Sequence, residues 1–196
     1  MIYSDKELLT RVKQLDNFNG IPKGYWIIGV RSSADRTDEF DDRFYLMRSN
    51  VLIQELTGTT NPGKSILMGG WRKYNKNGAA VLASDMWYYD VWKKGNHKGR
   101  YKALLQLGAK VKVFRDGNND GKSDEGGYFE WGFFGINFHL AATSWWEKVK
   151  RKFIGGFSAG CQVADDPDQY RKVMTTVHEA TDQNLFTYCL LKEFSI

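Results

Sequence analysis

Two short runs, Gly135-Ile136-Asn137-Phe138-His139 and Phe157-Ser158-Ala159-Gly160-Cys161, decide how this chain is read. A cysteine becomes a useful nucleophile when a neighbouring base takes its proton, and small residues beside it leave backbone N–H groups free to receive an oxyanion. Residues 141–157, between His139-Leu140 and Ser158, are long enough to return the second run alongside the first. The pair therefore reads as a Cys/His site, with Cys161 as nucleophile and His139 as base. A lone cysteine in an apolar strand is more often a small buried hydrophobe, and Cys189, within Phe186-Thr187-Tyr188-Cys189-Leu190-Leu191, fits that description. Cys161 differs because it follows a glycine-rich loop and precedes a helix start.

Working outward, the flanking segments read as strands. Tyr25-Trp26-Ile27-Ile28-Gly29-Val30 is dense in aromatic and β-branched residues, and Arg43–Met47 with Val51–Leu56 forms a hairpin around Ser49-Asn50. Tyr101–Leu107 and Lys110–Phe114 alternate like a second hairpin closed by Gly108, Gly132–His139 reads as a strand delivering His139, and residues 185–194 form the last strand. Two helices bracket the series. Ser4 and Glu7 make a capping box ahead of Leu8, Leu9, Val12 and Leu15, predicting a helix over residues 5–16. Asp166 with Pro167 opens another, striped by Tyr170, Val173, Met174 and Val177. The expected fold is mainly β, a sandwich or barrel, with residues 1–24 as N-terminal helix and connector and 25–196 as the catalytic domain.

The composition agrees with one well-packed core: 12 Phe, 10 Tyr, 7 Trp and 20 Gly in 196 residues favour strands and turns over disorder. The 28 Lys and Arg against 23 Asp and Glu leave +5, enough to favour a polyanionic surface but with no nucleic-acid motif behind it. The densest basic cluster, Lys148 to Lys152, reads as a solvated face. No apolar run approaches membrane-spanning length, and the N-terminal residues carry no charged-then-apolar leader pattern, so neither a membrane span nor a secretory signal is expected. Asp116-Gly117-Asn118-Asn119-Asp120-Gly121-Lys122-Ser123-Asp124 has the oxygen spacing of a calcium loop but Gly127 at its twelfth position, so it reads as a polar turn without metal; no cofactor is expected. The aromatic run Met86–Trp92 is either core or a substrate wall, which makes Trp87 a candidate substrate contact beside His97 and Asn137.

The two opening runs resemble the signature of the L,D-transpeptidase family, a His-Gly followed after such a spacer by Ser-His-Gly-Cys, and Thr57–Gly63 is similar to the family's Thr-Pro-Gly element with Asn61 intervening. The resemblance implies a mainly β catalytic domain whose cysteine attacks the acyl carbon of a peptidoglycan stem peptide and passes it to an amine or to water. By it, Cys161 is the nucleophile, His139 the base, Gly160 and Cys161 supply the oxyanion amides, and Ser158 shapes the loop. Ala159 stands where the motif has histidine, and Gln162-Val163 replaces an apolar-Arg or apolar-Asn pair. Those departures bear on substrate recognition and acyl acceptor, and tilt the expectation slightly toward hydrolysis. A wall enzyme without a leader implies delivery by a phage, as in an endolysin or virion protein, or by an injection machine; otherwise the substrate is not wall. The alternative expectation is a catalytically silent virion or injection-system component that retains the fold.

Overall fold

The structure, a computed structural model, describes residues 2–195. Helix α1 (Asp5–Val12) starts at the Ser4/Glu7 capping box and stops four residues short of the expected end. Tight turns then carry Leu15 back into the core, with Leu15 N–H donating to Val12 O at 3.5 Å. Strands β1 (Tyr25–Arg31), β2 (Asp42–Arg48) and β3 (Val51–Thr59) follow, then a short helix α2 (Lys64–Leu67) and a 3-10 turn (Gly70–Lys73) that the sequence had not signalled. After these come β4 (Ala79–Leu82), β5 (Met86–His97), β6 (Tyr101–Gln106), β7 (Val111–Asp116), β8 (Phe129–Gly132), β9 (Phe138–Leu140), β10 (Gln162–Ala164), α3 (Pro167–Glu179) and β11 (Leu185–Lys192).

Eight strands close a barrel in the order β1-β11-β5-β6-β9-β10-β3-β2, and β4-β7-β8 form a separate small sheet. The mainly β expectation holds, in its barrel form. The alternation of apolar residues explains how one side of the barrel is buried on both faces. Ile27, Phe44, Leu46, Tyr88, Tyr188 and Leu190 face one core, which Tyr170, Val173, Met174 and Val177 of α3 join. Their neighbours Trp26, Ile28, Tyr45, Met47, Trp87, Cys189 and Leu191 face the other way, into a second core covered by Leu8, Val12 and Leu15. Burying three such aliphatic side chains stabilises the docked N-terminal segment by roughly 5–8 kcal/mol before its ordering entropy is counted.

Three expectations are corrected. Tyr101–Leu107 and Lys110–Phe114 are not a hairpin: β6 has β5 and β9 on its two edges, while β7 lies between β4 and β8 in the other sheet. Gly132–His139 is not one strand. The backbone N–H groups of Phe134 and Ile136 donate to Gln106 Oε1, both at 2.9 Å, and Trp92 Nε1–H donates to Ile136 O at 2.7 Å, so Phe134 and Ile136 spend these hydrogen bonds on side chains and not on a strand partner. Trp87 is no substrate wall; it stacks on Trp26 with centroids 5.0 Å apart and donates to Val12 O at 2.9 Å. The Asp116–Asp124 loop joins β7 to β8 as a polar connection, with Asp116 accepting the Asn118 and Asp124 amides at 3.3 and 3.2 Å. Among the described residues no helix is long and apolar enough to cross a membrane.

Because Trp87 is a structural anchor under α1, Trp87→Phe is expected to lower the unfolding free energy by roughly 1–3 kcal/mol through lost volume and the lost bond to Val12. Chemical denaturation measures that loss, and the alkylation rate of Cys161 in the folded protein should stay within twofold of wild type.

Candidate active site

Strands β9 and β10 pair in parallel, with Gln162 opposite Phe138, Val163 opposite His139 and Ala164 opposite Leu140. One step back, Gln162 N–H donates to Asn137 O at 2.9 Å, which sets Cys161 beside Asn137 at the strand mouth. Side chains two apart on a strand share a face, so Cys161, Asn137 and His139 come to the same side. All three line one cleft of about 520 Å³, together with His97, Lys98 and Ala159.

The loop before Cys161 is held from below. Ser158 is fully buried; its hydroxyl donates to Cys161 O at 2.9 Å and accepts Gly160 N–H at 3.2 Å. Ser158 O in turn accepts Gly63 N–H at 2.9 Å, so the Thr57–Gly63 element is packed directly under the cysteine loop. Gly160 has φ +126°, and a Cβ there would lie 2.5 Å from Ala80 O, so both conformation and space require glycine. Gln162 is buried beneath the nucleophile, where its Oε1 accepts the Tyr188 hydroxyl at 2.7 Å. That hydroxyl has room only because residue 29 on the next strand is glycine: a Cβ there would stand 2.0 Å from it.

His139 is 2% exposed. Its Nδ1 lies 2.9 Å from Leu140 O, and a carbonyl only accepts, so Nδ1 carries the proton and Nε2 presents a bare lone pair. Nε2 has no hydrogen-bond partner. Tyr101 braces the same carbonyl, donating from its hydroxyl to Leu140 O at 2.8 Å. His97 stacks on the His139 ring with centroids 3.8 Å apart and planes at 19°. Burial, followed by the adjoining His97, lowers the His139 pKa to about 3; burial, followed by Lys98 and Arg100, lowers that of His97 to about 4. Both rings are neutral at pH 7.

Cys161 is half-buried and free, while Cys189 is fully buried and free. The Cys161 thiol donates to Gly135 O at 3.2 Å rather than to His139. Burial pushes its pKa up to about 11, opposed by the Asn137 backbone amide and then by Lys98. The resting pair is therefore neutral thiol and neutral imidazole.

Of the residues singled out in the sequence, Cys161, His139, Gly160, Ser158, His97 and Asn137 are gathered around this cleft, and Trp87 is not. Asn137 is tied down through its side chain, with Oδ1 accepting Gln106 N–H at 2.8 Å, so what it offers the site is its backbone. The Gly160 amide is engaged by Ser158, which leaves the Cys161 amide as the expected oxyanion donor. Sequence reading missed Tyr101, Lys98 and Gln106, none of which belongs to a recognisable pattern. The basic cluster at 148–152 is partly neutralised, Lys150 by Asp165 at 3.3 Å and Arg151 by Glu147 at 2.6 Å. Among the described residues no group of three or more His, Cys, Asp or Glu side chains is arranged to hold a metal ion.

A histidine kept neutral on folding takes up a proton only when unfolded, so the unfolded state binds more protons between about pH 6.5 and pH 3 and stability falls on acidification through that window. Asp42, pushed up to about 6 by burial, works in the opposite sense. The comparison that isolates His139 is therefore with His139→Gln: from pH 7 to pH 5 the wild type should lose about 2 kcal/mol more unfolding free energy than the variant, read by denaturant titration at each pH. Gly160→Ala should unfold at lower denaturant and lose Cys161 accessibility together. No family model, no curated protein and no solved structure matches this chain.

Proposed function

We propose that this chain is a peptidoglycan-acting cysteine enzyme of L,D-transpeptidase type, cleaving or exchanging stem-peptide bonds through an acyl-enzyme, with hydrolysis slightly favoured over cross-linking and delivery of a phage or virion kind. The observation that carries the reading is the bare, buried and unpartnered Nε2 of His139 in the same cleft as the half-buried thiol of Cys161. An orphaned buried acceptor costs roughly 1–3 kcal/mol, and proton transfer from a nucleophile is a use for it.

In this mechanism the thiol leaves Gly135 O as the acyl carbon arrives, Sγ bonds to that carbon, and its proton passes to Nε2. The oxyanion is received by the Cys161 amide. Imidazolium then protonates the departing amine, leaving a thioester on Cys161. Water attacks next, gives its proton to Nε2, and the thiol is restored as the acid leaves. Leu140 O, braced by the Tyr101 hydroxyl, accepts from Nδ1 throughout, so only Nε2 exchanges protons. Ala159 lines the cleft where a larger motif side chain would organise an amine acceptor, and water needs no such organisation.

One observation favours a second reading, a silent virion or injection-system component: the thiol is satisfied by Gly135 O and its pKa is high. Incubation with purified sacculi under reducing conditions, followed by mass spectrometry of released and newly linked muropeptides, separates the two. Cys161→Ala should abolish wall activity, His139→Ala should lower it by roughly two orders of magnitude, and Cys189→Ala should leave it nearly untouched. Unchanged sacculi, with Cys161 alkylating no faster than buried Cys189, would remove the enzyme reading.

A further inference from the structure

The charge around the cleft is one-sided. Among the described residues no Asp or Glu lines either the 520 Å³ cleft or the adjoining one of about 280 Å³, which share His97, Lys98 and His139. Arg115 at the first cleft is already closed on Glu130 and lies over the Phe134 ring at 4.6 Å. Cys161, His97 and His139 are neutral at pH 7. What remains is Lys98, lining both clefts, and Arg100, lining the second, with no ion-pair partner for either among the described residues.

Their placement is fixed by the β5–β6 turn. Lys98 has φ +50° and Gly99 φ +71°, and Arg100 N–H donates to His97 O at 2.9 Å. Asn, Asp or Gly fills such a left-handed turn position more cheaply than lysine does. A strained residue held at a site is grounds for asking what it does there. The turn sets the Lys98 backbone directly after the His97 ring that stacks on His139. An unpaired cation at the mouth of a cleft without carboxylates attracts anions into it.

We infer that the Lys98–Arg100 hairpin tip is an anion-recognising lip, and that the peptide processed at Cys161 carries a free carboxylate beside the bond that is broken. The inference rests on the peptidoglycan reading for the identity of the peptide. It makes an uncapped stem-peptide end, whose terminal carboxylate is free, a better substrate than a stem whose end is amidated. The attraction itself does not depend on that reading, since any small electrophile that reaches Cys161 feels it.

The test compares iodoacetate with iodoacetamide, which transfer nearly the same group to sulfur with loss of iodide and differ in charge. Peptide-level mass spectrometry follows Cys161 in the intact chain, and dividing one rate by the other cancels any change in thiolate fraction. Lys98→Gln should lower the iodoacetate-to-iodoacetamide ratio roughly three- to tenfold, Lys98→Arg should retain it, and 0.5 M salt should reduce it in the wild type, where the Debye length falls to roughly 4–5 Å. A ratio unmoved by Lys98→Gln and by salt would overturn the inference, as would a change carried by the iodoacetamide rate alone. Sacculi left unchanged by a wild type that keeps its salt-sensitive, Lys98-dependent ratio would discard the wall substrate and leave the lip standing. Muropeptide cleavage with a ratio indifferent to Lys98 would discard the lip and leave the enzyme.

Discussion

Everything at this site depends on a three-residue parallel pairing between β9 and β10. Parallel pairs need a long crossover, and here residues 141–161 supply it without a regular element of their own. So short a ladder is worth little by itself. It is held because β10 also pairs with β3 through Val163 opposite Thr59, and because Tyr170 of α3 donates to Lys102 O and Phe138 O from behind. The barrel closes through these two strands, so the register that brings Cys161 beside Asn137 is the register that closes the fold. Slipping it by one residue would turn His139 to the opposite face and open the barrel together.

The polar interior under the cysteine follows from the same closure. Gln162 begins β10 and has no apolar alternative that would satisfy both Tyr188 and the carbonyls of Thr60 and Gly160, which its amide approaches at 3.5 and 3.4 Å. Tyr188 needs the missing side chain of Gly29, and Thr60 is held by Asp42, which accepts both its N–H and its hydroxyl. A buried chain of this kind stiffens when every member is satisfied and is costly when one is not. Through it, β1, β2, β10 and β11 fix the height of the cysteine loop.

The sequence was most legible where a local rule had no rival. The capping box at Ser4, the Asp166-Pro167 helix start and the hairpin around Ser49-Asn50 each depend on neighbours a few residues apart, and each is found. Cys161 and His139 were singled out from their loop and strand contexts, and they line one cleft. Legibility failed where partners are remote. Nothing in Phe133–Asn137 says that Gln106 and Trp92 will take its hydrogen bonds, so an apolar run that reads as strand is not one. Gly108 looks like a hairpin closure, yet it carries the chain from the barrel to the second sheet. Trp87 stood open between core and wall because an aromatic residue on a strand gives no sign of which face α1 will cover. Lys98 was passed over because an exposed lysine carries no signal until its neighbours are seen to lack carboxylates.

The same burial that orients the pair also limits the chemistry it can do. With the imidazole near 3 and the thiol near 11, moving a proton between them as isolated groups is uphill on the order of 10 kcal/mol. Attraction between the resulting charges, about 4 kcal/mol at contact in a protein-like dielectric, recovers only part of that. A preformed thiolate–imidazolium pair is therefore not the resting state. In the proposed reaction, proton transfer would be coupled to formation of the bond from sulfur to carbon, so that negative charge would appear on the carbonyl oxygen, near the Cys161 amide, and not accumulate on sulfur. The sulfur would gain its full nucleophilicity only as an acyl group is seated against it. His97, itself neutral, stacks on the base and covers one face of its ring; in the proposed reaction the proton would rest on His139 only for as long as the oxyanion exists.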